Sequence, residues 1–100
     1  MRHLIISICN SGNAESIMTT AKQVGAKGGT IINARGSAKK DAEQFLGITI
    51  QPEKELLIII TNEDNKNQIM QAINQNHGIG TVSHAITMSL PVDDIVGIDI

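Results

Sequence analysis

Aromatic side chains are almost missing from these 100 residues: there is no tryptophan and no tyrosine, and Phe45 stands alone. That excludes recognition built on stacked rings, such as the platforms of single-strand nucleic-acid binders. Excess positive charge is missing as well. A formal charge of −2 offers no broad basic face to a polyanion, so no nucleic-acid partner is expected. Cysteine is reduced to Cys9, which leaves no internal disulfide. The run LIISIC near the amino end is too short for a signal peptide or a membrane span. A cytoplasmic protein without membrane insertion is the expectation. Neither GxxxxGK[ST] nor a strand-first GxGxxG occurs, which removes the two standard phosphate-cradling motifs.

What is present is a chain with 41% hydrophobic residues, expected to form one domain over residues 1–100. It reads as two similar halves. HLIISIC, residues 3–9, is a strand of a covered sheet, and Asn10-Ser11-Gly12-Asn13 is a polar turn. Ala14, Ile17, Ala21 and Val24 share one face of a helix over 14–26. In GAKGGTIINARG, Gly25 or Gly28 can take positive φ at the helix end, and Gly29 lets the chain pack closely as it enters a strand, Thr30-Ile31-Ile32. A polar connection follows, with a short helical turn around Asp41 to Phe45. The pattern then repeats: a strand at 55–60, a helix over 65–76 capped from Thr61 to Asp64, and a strand at 85–90 stopped by Pro91.

This order, β-α-β-β-α-β, predicts a ferredoxin-like α+β sandwich, an antiparallel four-stranded sheet with two helices on one face. The third strand is apolar at Leu56, Ile58 and Ile60 and also at Leu57 and Ile59. Its second face has no helix left to cover it, so an oligomer is expected, although either parity fits as the outward one.

Catalytic constellations are weak. Ser37, Ser83 and His84 are the only candidates for acyl transfer, there is no GxSxG elbow, and Ser83 and His84 in a strand would point apart. His3, His77 and His84 have no metal-ligand spacing with one another or with Cys9, which reads as a buried thiol. Neither an enzyme nor a metal centre is expected. Lys39-Lys40 beside Asp41 and Glu43 reads as a solvated face, and Phe45 as an anchor for its loop.

GAKGGTIINARG, FLGITIQPEKELLIIIT and SLPVDDIVGI, in that order and over nearly the whole chain, resemble the PII-like proteins, relatives of the PII nitrogen regulatory proteins. Gly25, Gly28, Thr30 and Gly36 match that pattern. The resemblance implies a homotrimer with its sheets facing inward, adenine nucleotides bound in clefts between subunits, and a loop at 34–50 that regulates a partner protein. It places Thr30, Arg35, Gly36 and Ser37 on one side of the cleft and Gly80, Thr81, Ser83 and His84 on the other. Two departures bear on the ligand. VSHAITMSL lacks the lysine and glycines that the regulators carry before the last strand. The tail VDDIVGIDI has aspartates where they have phosphate-clamping arginines. AMP, ADP, ATP, a cyclic nucleotide and another small anion stay open as ligands. The alternative is a structural or metal-sensing trimeric adaptor that binds no nucleotide.

Overall fold

The computed structural model describes residues 1–37 and 53–98. They form β1 (Arg2–Asn10), α1 (Ala14–Gln23), β2 (Thr30–Arg35), β3 (Glu53–Asn62), α2 (Glu63–His77) and β4 (Ile86–Pro91). The sheet order is β2-β3-β1-β4 with every pair antiparallel. This is the ferredoxin-like sandwich expected from the element order. The helical turn around Asp41 to Phe45, the Lys39-Lys40 pair and Phe45 itself lie outside the described residues.

Side-chain parity organises the rest. Ile5, Ser7 and Cys9 of β1, with Leu57 and Ile59 of β3, point under the helices and are closed off from solvent. Ala14, Ile17, Met18 and Ala21 of α1 and Ile69 and Ile73 of α2 complete that core. The other parity carries Leu4, Ile6 and Ile8, cross-strand from Ile60, Ile58 and Leu56. It continues into Leu90, Met88 and Ile86 of β4, which are 44%, 39% and 55% exposed. Ile58, not Ile59, is therefore the outward residue of the central strand, which settles a choice that the doubly apolar sequence left open.

Helix ends differ from the sequence reading by a few residues. α1 stops at Gln23 because Gly25, at φ 113°, turns the chain into the left-handed region; Gly28 has no such φ. Gly29 answers to space instead: a Cβ there would lie 2.8 Å from Met18 Sδ and 3.0 Å from the Ile58 carbonyl. α2 is longer than expected because Asn62 caps it, its Oδ1 accepting from the Asn65 amide at 3.0 Å.

The start of α1 is capped from another strand. Asn13 makes no side-chain cap, and Glu55 Oε1 accepts from Gly12 N at 3.0 Å and Ala14 N at 2.9 Å. A carboxylate there satisfies two otherwise orphaned donors and meets the positive end of the helix dipole. Glu55→Ala is expected to cost about 1–2 kcal/mol, measured as a lower urea midpoint.

Candidate functional site

Three segments meet at the end of the sheet where β1 and β3 exchange Asn10 and Lys54: the Asn10–Asn13 turn, Glu53–Glu55, and the 78–85 connection into β4. Asn10 N donates to the Ser83 carbonyl at 2.9 Å, and Ser11 N to the Glu53 carbonyl at 3.3 Å. Within the connection, the Thr81 hydroxyl donates to the Gly78 carbonyl at 2.8 Å and accepts from His84 N at 3.3 Å. Gly80 at φ 94° and His84 at φ 47° give the turn its curl. The curl leaves Ile79 and Val82 facing outward, each 80% exposed. No lysine or arginine occurs in residues 78–85.

Ser83 corrects the sequence reading. It does not lie in a strand beside His84 or present a hydroxyl to a ligand; it is 2% exposed and turned inward. Its Oγ donates to Asn13 Oδ1 at 3.2 Å and meets His77 Nδ1 at 3.3 Å, while His77 Nε2 meets the Thr20 hydroxyl at 2.7 Å. With the Ser83 proton committed to Asn13, Nδ1–H donates to Ser83 and Nε2 accepts from Thr20, a neutral imidazole satisfied on both sides. Burial pushes the His77 pKa below 6.5. Below pH 6.5 the unfolded chain therefore takes up a proton that the folded chain resists, and stability falls; above 6.5 this contribution is fully present. His77→Gln is expected to flatten that acid limb in a plot of urea midpoint against pH. An unchanged slope would remove His77 as its cause.

Thr30 lies apart from the other candidates. It sits at the opposite end of β2 from Arg35, roughly 17 Å of strand away. There Lys27, Gly28, Gly29, Thr30, Ile58, Ile60 and Ile98 line an open groove of about 250 Å³. Lys27 is its only charged lining residue among the described residues. Arg35 edges a shallow hollow with Asn33, Ala34 and Glu53, and Ser37 beyond it is exposed. Gly80 and His84 are exposed and Thr81 half-buried. One chain thus carries a groove at one end of the sheet and the loop base and turn at the other, with no described contact joining them. Two further residues at the end of the loop base and turn, Asn10 and Glu55, were missed by sequence reasoning as parts of the site; only their polarity at strand ends could have marked them.

Among the described residues there is no group of three or more His, Cys, Asp or Glu able to hold a metal ion. No described helix is long and apolar enough to cross a membrane. No protein-family model matches the chain, and no curated protein does either. Among solved structures, the crystal structure of Arabidopsis thaliana PII bound to citrate superposes with a TM-score of 0.69 at 16% identity, covering 97% of this chain and 80% of that one. At that identity the likeness is one of fold.

Proposed function

We propose that this chain is a PII-like ligand-sensing regulator. It assembles as a homotrimer through the open sheet face, binds a small anionic ligand between copies, and passes its state to a partner protein through residues 34–50. The observation that carries the proposal is the split site: a groove around Thr30 and a turn at 78–84 stand at opposite ends of a sheet whose outward face is apolar and, among the described residues, uncovered. A second copy seated on that face covers it and can set its turn against the first copy's groove. The fold shared with a PII protein that binds citrate supports the same reading.

Charge narrows the ligand. Lys27 lines the groove, but the 78–85 connection has no cation, and Asp93 and Asp94 lie exposed on the segment leading to Ile98. Carboxylates near a triphosphate repel it, so AMP or a cyclic nucleotide should bind more tightly than ATP. The outward Ile79 and Val82 favour the adaptor reading in parallel, because apolar tips suit a protein contact better than a phosphate. Isothermal titration with ATP, ADP, AMP and cyclic AMP separates the two. Preference for AMP or cyclic AMP supports the sensor, and tight ATP binding would show that the aspartates do not set the preference. No heat with any of them leaves the adaptor. Arg35→Ala should weaken anion binding while the melting temperature moves only a few degrees, since an exposed arginine contributes little to folding.

A further inference from the structure

Asn10 uses almost every polar atom it has. Its Oδ1 accepts from Lys54 Nζ at 2.8 Å, and its Nδ2 donates to the Val82 carbonyl at 3.0 Å. Its backbone N–H donates to the Ser83 carbonyl at 2.9 Å, and its own carbonyl accepts from the Asn13 side chain at 3.1 Å. The amide orientation is fixed by chemistry, because an ammonium only donates and a carbonyl only accepts. Donor and acceptor lie on one rigid plane, so rotating the side chain away from Val82 also takes it away from Lys54. The next residue continues the link, Ser11 N reaching the Glu53 carbonyl.

We infer that Asn10 is a positioning residue that couples the 78–84 turn to the Lys54 end of β3, so that a ligand or partner pressing on the turn is felt where the chain enters β3. What presses on the turn rests on the proposed function; the coupling itself does not. Lysine at 54 holds one edge of the amide and the turn's backbone holds the other. Loosening either edge raises the chance that the other opens.

Two variants cut the two edges separately. Lys54→Met removes the cation and leaves the Asn10 donor to Val82. Asn10→Asp keeps an acceptor for Lys54 and loses that donor. The reporters are the Thr81 and His84 amides, bonded to the Gly78 carbonyl and the Thr81 hydroxyl within the turn, neither of which touches Lys54. Amide exchange by NMR on the free protein should run about fivefold faster at both in Lys54→Met, the factor expected for one lost hydrogen bond. The amides of Asn65 and Val92, bonded to Asn62 Oδ1 and to the Arg2 carbonyl at the far end of the sheet, open locally and should keep their rates. In an Asn10→Asp background, Lys54→Met should then add nothing at Thr81 and His84. Unchanged turn amides in Lys54→Met, an equal acceleration at Asn65 and Val92, or additive effects in the double variant would each overturn the inference. Failure of every nucleotide to bind, with this exchange pattern intact, would count against the proposed ligand and not against the coupling.

Discussion

Ile58→Lys is expected to take the proposed trimer apart while the subunit keeps its secondary structure, and Ile59→Lys is expected to unfold the subunit outright. The two residues are neighbours in β3 and differ only in parity. Ile59 is fully closed off beneath the helices, so an ammonium there has neither water nor a partner and costs several kcal/mol. Ile58 stands half-buried on the face opposite the helices, between Ile6 and Thr30 of the adjoining strands, where a lysine in a lone subunit can lift its charge into water. Across a trimer interface that escape is closed. Light scattering should report a trimer for the wild-type protein and a monomer for Ile58→Lys, with circular dichroism retained in the second. A wild-type monomer at micromolar concentration would sink the proposed architecture, and so would an intact trimer with lysine at 58.

Gly29→Val should be the most damaging substitution in the glycine-bearing stretch. The first added carbon already falls 2.8 Å from Met18 Sδ and 3.0 Å from both Leu57 Cδ1 and the Ile58 carbonyl. Methionine can swing aside, but the carbonyl belongs to the central strand and cannot move without disturbing its pairing. Valine's two methyl groups deepen the clash, and a loss of about 2–3 kcal/mol is expected. Gly28→Val serves as the control, because a Cβ at Gly28 meets nothing within 4 Å. Equal urea midpoints for the two variants would contradict the packing described around Gly29.

The hydrophobic run at 55–60 and the helical spacing of Ile17 and Ala21, or of Ile69 and Ile73, were enough to place the elements, because burial imposes those periods locally. Parity in β3 was not legible for the same reason: a strand apolar on both faces has no alternation to read. Contacts between distant residues were hidden too. Glu55 caps a helix that begins 41 positions before it, and nothing near Gly12 announces its acceptor. Ser83 misled through its neighbour, since its partner is His77, across a turn whose curl depends on the positive φ of Gly80 and His84. The candidate residues at 35–37 and 80–84 were legible as polar positions, but their separation from Thr30 follows only from strand order.

Cys9 gives this chain a clock. It is the sole thiol, 1% exposed, opposite Glu55 in the register of β1 and β3, with its Sγ 3.7 Å from the Glu55 carbonyl. Burial, with the Glu55 carboxylate adding to it, pushes the thiol pKa up, so both access and reactivity are withheld while the core is shut. A thiol reagent must wait until β1 and the helices above it part. With no tryptophan or tyrosine to fluoresce, the rate of Cys9 modification becomes a direct optical record of how often this core opens, read from a residue the sequence already contains.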